Sequence, residues 1–346
     1  MSDLIDTHIH VLPPAYVDAI EAAGGDPSGF PSPEWSFGAT LESINATGTS
    51  VAILSVSAPG VSIAGTGEVA LKLTRDLNQY LAEQTRRTEA KQRLGFFGVL
   101  PDWQDVEGTI AELEFLYQHQ KLCFGVTVFT SYGGKLLGDR QFQPIWERLQ
   151  SYKALVFIHP TSLEVEPRHI ASNLPQPIVD YPLATTRTAV DLVLTGTLSK
   201  CPDVDVILSH AGGTLPFIAN RIMGSLQSHS VKKMMSIDFG TAKETFSRFY
   251  YDIALSCSSA QLNGLLDFAA PSHILFGSDF PYCPPSVIGK QVQLYSAFVT
   301  TEPRGRVITP HIVRQNSRRL LTKHQQNQQI DWDFKVHLDR RAVSKI

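Results

Sequence analysis

The sequence predicts a closed (β/α)8 barrel, and three observations carry that prediction. Eight short, nearly continuous apolar runs alternate with segments of helical periodicity. No linker-like change in composition divides the chain, and the polar residues best suited to chemistry follow the apolar runs at matching offsets. Apolar runs of this kind imply parallel strands buried on both faces. A doubly wound open sheet shares the pattern, but no G-x-G-x-x-G follows the first run, which removes the usual dinucleotide-binding form of that alternative.

The first strand spans residues 4–10, LIDTHIH. Residues 24–38 then hold Gly24, Gly25, Pro27, Gly29, Pro31, Pro33 and Gly38, which break any period and predict a long loop rather than a helix. Phe30, Trp35 and Phe37 make it a loop with something to bury. We read residues 11–40 as a lid-like insertion after strand 1 that places Trp35 or Phe37 over the strand ends; the alternative is an aromatic that packs the loop down.

From residue 40 the β/α alternation is regular. Strands are expected at 50–56, 94–100, 123–129, 154–158, 204–208, 249–254 and 273–276. Helices are expected at 40–46, 67–89, 106–118, 142–151, 185–200, 216–226, 259–270, 285–299 and 311–321. Residues 1–321 therefore form one barrel domain, followed by a C-terminal extension, residues 322–346, in which Trp332, Phe334, Val336 and Leu338 alternate. That pattern suits packing on the barrel or on a second subunit.

Composition bounds the function. A net charge of −3 with no long Lys/Arg run leaves no electrostatic footprint for nucleic acid or an acidic membrane. The four cysteines, Cys123, Cys201, Cys257 and Cys283, form no C-x-x-C pair and read as reduced core thiols. Neither a signal peptide nor an apolar run of about 18 residues is evident, so the expected compartment is the cytoplasm.

The chemistry starts at His8 and His10. Side chains at i and i+2 of a strand share a face, so this pair forms half of a transition-metal site, typically for zinc. Two ordinary polar residues closing a strand would look the same. His159 follows the fifth strand, His210 the sixth and Asp279 the eighth, which puts all five residues on the C-terminal face, where barrel active sites are built. A histidine at a strand end is often only a hydrogen-bonded structural residue, and an Asp before Phe-Pro is often a turn former. Five such residues at matching offsets resist that explanation.

ThrHisIleHis at 7–10, HisPro at 159–160, SerHisAlaGlyGly at 209–213 and GlySerAspPheProTyr at 277–282 resemble the metal-dependent amidohydrolase superfamily. Within it the chain is similar to the single-metal branch typified by aminocarboxymuconate-semialdehyde decarboxylase, over residues 4–321. The segment AGGDPSGFPSPEWS is similar to 6-methylsalicylate decarboxylase-like members. The resemblance implies that His8, His10, His159 and Asp279 bind one divalent metal, with His210 beside a water on it. Two-metal relatives carry a bridging lysine on strand four; here that strand reads CFGVTVFT. Zn2+ suits three imidazoles and a carboxylate, and Mn2+ is the alternative where substrate oxygens complete a larger shell. The resemblance also implies a homodimer, in which Arg221 meets an anionic substrate group. The family's other substrate arginine would fall near Thr40, so a monocarboxylic phenol fits better than a dicarboxylate.

The implied reaction is loss of CO2 from a small ortho-hydroxy aromatic acid, with Asp279 as general acid to the ipso carbon, His210 tuning it or shuttling its proton, and Trp35 and Phe280 stacking on the ring. The rival is metal-assisted hydrolysis of an amide or lactone, for which the same constellation serves. Decarboxylation of a non-phenolic acid such as isoorotate is a further alternative.

Overall fold

The computed structural model describes residues 3–90, 92–120 and 122–325. Eight parallel strands run in sequence order round a barrel: β1 Leu4–Val11, β2 Thr49–Val56, β3 Leu94–Gly98, β4 Cys123–Phe129, β5 Leu155–His159, β6 Asp205–Leu208, β7 Tyr250–Asp252 and β8 Ile274–Leu275. A bridge between Asp6 and Phe276 and the bond from Thr7 N–H to Phe276 C=O (3.0 Å) join the last strand to the first. This is the expected (β/α)8 barrel.

Two apolar layers follow from the side-chain alternation of the strands. Ile5, Val51, Ile53, Phe97, Phe124, Leu155, Phe157, Ile207 and Leu275 fill the interior, and Leu320 and Leu321 of the last helix join them. The larger layer lies between strands and helices. Helix starts are set locally: Ser36 Oγ accepts from Ala39 N–H, Asp105 Oδ1 from Gly108 N–H, and Ser258 forms a capping box with Gln261.

Four expectations need correction. The insertion is not loop throughout, because Pro14–Ala22 is helical, with Pro at its first turn and Tyr16 and Ile20 buried; the glycines and prolines of residues 24–38 masked this short apolar face. The later strands are shorter than their apolar runs, β8 being two residues long, since pairing ends before burial does. Two helices, His229–Met234 and Phe239–Ser247, fill the stretch before β7. The last helix is Pro310–Lys323, and beyond it His324 is buried, with Nδ1 facing Lys153 C=O (2.8 Å) and Nε2 facing Asp205 Oδ2 (2.7 Å). Ordered packing thus runs past residue 321. Residues 326–346, with the alternating Trp332, Phe334, Val336 and Leu338, lie outside the described residues.

Candidate metal centre

β1 delivers His8 and His10 to the barrel mouth, both fully buried. The segment after β8 is stapled alongside it: Ser278 N–H and Asp279 N–H donate to His8 C=O (3.1 and 2.8 Å), and His10 N–H donates to Phe280 C=O (2.7 Å). Gly277 permits this closeness, because a Cβ there would lie 2.6 Å from the Cβ of His8. Asp279 sits in the left-handed region at φ 61°, as do His210 (52°) and Ala211 (56°) after β6. Such non-glycine backbone is costly and gathers at functional sites.

His8, His10, His159 and Asp279 converge so that one donor atom from each lies within 4.8 Å of all the others. His8 Nε2 is 3.2 Å from His10 Nε2, and Asp279 Oδ1 is 3.3 Å from both. Ligands held about 2.0–2.1 Å from a tetrahedral ion stand about 3.3 Å apart, so the spacing fits a single small cation.

Anchoring at the far nitrogens points the same way. His8 Nδ1–H donates to Asp252 Oδ2 (3.0 Å), His159 Nδ1–H to Pro160 C=O (2.8 Å) and His210 Nδ1–H to Ala254 C=O (3.1 Å). Ser55 Oγ donates to Ile9 C=O (3.1 Å) and accepts from His10 Nδ1–H (3.0 Å). With each Nδ1 engaged, Nε2 is the nitrogen left to face the centre.

The electrostatics ask for positive charge. Burial opposes a charge on His8, yet Asp252 and Asp279 outweigh it and raise its pKa to about 10. Burial pushes His10, His159 and His210 down, His159 well below its ordinary value. Burial alone would raise Asp279, but the charge on His8 and hydrogen bonds from His10 and His8 hold it well below the usual carboxylate range. Asp279 is thus an anion facing imidazoles, a donor set that suits one divalent ion.

Above the centre the wall is aromatic. Tyr282 lies edge-on to His10 (5.7 Å between centroids) and is anchored through its hydroxyl to Ser57 Oγ (2.8 Å); Tyr181 and Phe129 each lie 6.3 Å from His159. The insertion reaches this wall through Phe30, 5.8 Å from Tyr282. It is tied to the loop after β5, since Gln176 N–H donates to Ser28 C=O (3.0 Å) and the Arg168 guanidinium to Pro27 C=O (2.5 Å).

The remaining expected residues make other contacts. Trp35 Nε1–H donates to Thr40 Oγ1 (2.9 Å) and its ring meets Tyr80 (6.3 Å), so Trp35 packs the insertion onto the helix Glu68–Arg86. Phe37 starts the next helix and is buried. Phe280 accepts at its carbonyl from His10 N–H, and its ring is buried in the same apolar cluster as Phe129 and Tyr181. Arg221 is exposed on Leu215–Ser225 and makes no ion pair among the described residues. Sequence reasoning missed Asp252, Ser55, Tyr282 and Phe30. Asp252 ends β7, but the expected strand, 249–254, placed it inside the run, so its position did not single it out as that of His159 did.

A family model described as amidohydrolase matches residues 5–322. The chain belongs to the amidohydrolase family. Among curated members of known sequence, the decarboxylase yanB of Aspergillus niger is 39% identical over 333 residues, 93% of this chain and 88% of that protein. The 6-methylsalicylic acid decarboxylase acuB of Aspergillus aculeatus is 38% identical over 326 residues, covering 92% and 96%. Among solved structures, 5-carboxyvanillate decarboxylase from Novosphingobium aromaticivorans, determined with manganese and 4-hydroxy-3-methoxy-5-nitrobenzoic acid, superposes with a TM-score of 0.80 at 17% identity, covering 93% of this chain and 96% of that chain. That likeness speaks to the fold.

Proposed function

We propose that the protein is a metal-dependent, non-oxidative decarboxylase of a small ortho-hydroxy aromatic acid of the 6-methylsalicylate or salicylate type. The observation that carries this reading is the buried single-cation cluster under an aromatic wall, in a chain that aligns along nearly its whole length with curated decarboxylases of that substrate class. His8, His10, His159 and Asp279 would hold the ion. When bound, it supplies a Lewis-acidic anchor for the substrate's carboxylate and ortho-hydroxyl oxygens. Three nitrogens and one oxygen favour Zn2+, and Mn2+ is the alternative.

The residues then do the following. Tyr282, Tyr181 and Phe129 confine the ring and exclude water. Asp279 carries a proton to the ipso carbon, the carbon–carboxyl bond breaks, and its electron pair restores the aromatic ring as CO2 leaves. One proton thereby replaces one CO2. Because Asp279 rests as an anion, a proton from solvent has to reach it, and His210, whose Nδ1–H is spent on Ala254, offers Nε2 to take that proton up and pass it on.

A homodimer is part of the proposal. Arg221 stands four residues after Phe217, which is 91% exposed, on one helix face suited to meeting a second copy. Buried free cysteines fit a reducing, cytoplasmic setting. No helix of the described residues is long and apolar enough to cross a membrane.

The test is elemental analysis of the purified protein, then CO2 release from salicylate, 6-methylsalicylate, dihydroxybenzoates and isoorotate with and without chelator, beside lactone and amide hydrolysis. Chelator-sensitive CO2 release from the phenolic acids is expected; hydrolysis without CO2 release overturns the reading. Light scattering tests the dimer.

A further inference from the structure

We infer that Asp252 is a positioning residue that sets, with one carboxylate, both the metal-ready form of His8 and the placement of His210. It is fully buried at the end of β7, outside the four-residue ligand set. Its two oxygens divide the work. Oδ2 accepts from His8 Nδ1–H at 3.0 Å, while Oδ1 accepts from His210 N–H at 3.2 Å and Ala254 N–H at 3.0 Å. The carbonyl of Ala254 then accepts from His210 Nδ1–H at 3.1 Å. A closed ring of hydrogen bonds thus joins the ends of β6 and β7.

Each half has a physical consequence. A carboxylate can only accept at His8 Nδ1, so the proton stays there and Nε2 faces His10 and Asp279. His210 occupies a left-handed backbone conformation, φ 52°, which a non-glycine residue keeps only when its surroundings impose it. The bond from its amide to Asp252 and the bond from its ring to Ala254 impose it together. The two imidazoles are brought to 4.8 Å between ring centroids. The inference rests on the single-cation reading of the centre, and its first readouts do not depend on the reaction.

Asp252→Asn and Asp252→Ala separate the halves. In the asparagine variant Oδ1 can still accept from His210 N–H and Ala254 N–H, and a flipped amide would set its own N–H against those donors. The NH2 therefore faces His8 Nδ1, which has to become an acceptor, so the proton moves to Nε2 and blocks the cation. Zinc affinity, measured by competition with a chromophoric chelator, is expected to fall about 10- to 100-fold with an unchanged far-UV circular dichroism spectrum. Affinity within twofold of wild type overturns this half. At saturating zinc, the alanine variant is expected to lose at least about tenfold more kcat than the asparagine variant, because only it releases the His210 amide; equal kcat values overturn the second half. Wild-type turnover in the same assay reports separately on the proposed reaction. Should either variant fail to fold, 15N-histidine NMR of zinc-loaded wild type decides: a His8 ring protonated at Nδ1 and bound through Nε2 is expected, and a His8 bound through Nδ1 overturns the inference.

Discussion

His8 Nε2 and His10 Nε2 stand 3.2 Å apart on one strand, each ring tethered at its other nitrogen. Two nitrogens stand that close only with positive charge between them, a proton on His8 in the metal-free chain or a cation that displaces it. Asp279, held anionic, faces the pair from the opposite end of the sheet order. The folding of the chain thus gathers three imidazoles and one carboxylate whose donor atoms could hold a small cation.

Asp279→Asn keeps the shape but removes the anion and the carboxylate that would carry the relayed proton, and CO2 release is expected to fall by about 10²- to 10⁴-fold. A variant that binds metal and turns over at the wild-type rate would remove Asp279 from its proposed role.

Metal loading should depend on pH with a definite sign. The His8 pKa is raised to about 10, so at pH 7 the metal-free ring is an imidazolium that a cation must deprotonate. Binding should release about one proton at pH 7, and apparent affinity should rise with pH up to that value. Titration calorimetry in buffers of different ionisation heat measures this; no proton release would refute it. Chelation should abolish turnover and lower the Tm, the metal contributing about 2.7 kcal/mol at a free concentration 100 times its Kd.

Phe30 and Trp35 should behave differently, although both belong to the insertion. Phe30→Ala removes a ring contact worth about 0.5–1.5 kcal/mol next to the proposed substrate wall, so kcat/KM should fall roughly 2- to 12-fold. Trp35→Ala breaks the contacts with Thr40 and Tyr80 and should lower the Tm while leaving KM in place. A rise in KM for Trp35→Ala matching that of Phe30→Ala would show that the insertion is arranged otherwise.

At the opposite end of the barrel, Asp205 joins β6 to the last helix through His324 and Lys323. Burial would raise its pKa, but the hydrogen bonds from His324 and Lys323 prevail and lower it. A depressed carboxylate stabilises the fold above its unfolded value of about 3.9, and that contribution disappears as pH falls through the lower folded value. Asp205→Asn should therefore cost about 1.5–3 kcal/mol in urea unfolding at pH 7. The gap to wild type should narrow on acidification; a gap that widens would contradict the assignment.

The barrel was legible in the sequence because each strand is an apolar run short enough to be told from a helix, and parallel strands are buried on both sides. His8, His10, His159, His210 and Asp279 were legible because a strand end is a fixed place in a barrel. Sequence by itself determined these five, down to the side of the molecule they share. Only the tertiary structure decided that Asp252 and Ser55 hold His8 and His10 by the far nitrogen, that Phe30 rather than Trp35 meets the aromatic wall, and that His324 locks the last helix. The physical reason is range: periodicity reports which face a side chain takes along its own element, whereas a hydrogen bond between residues 244 positions apart, such as His8 to Asp252, exists only once the barrel has closed.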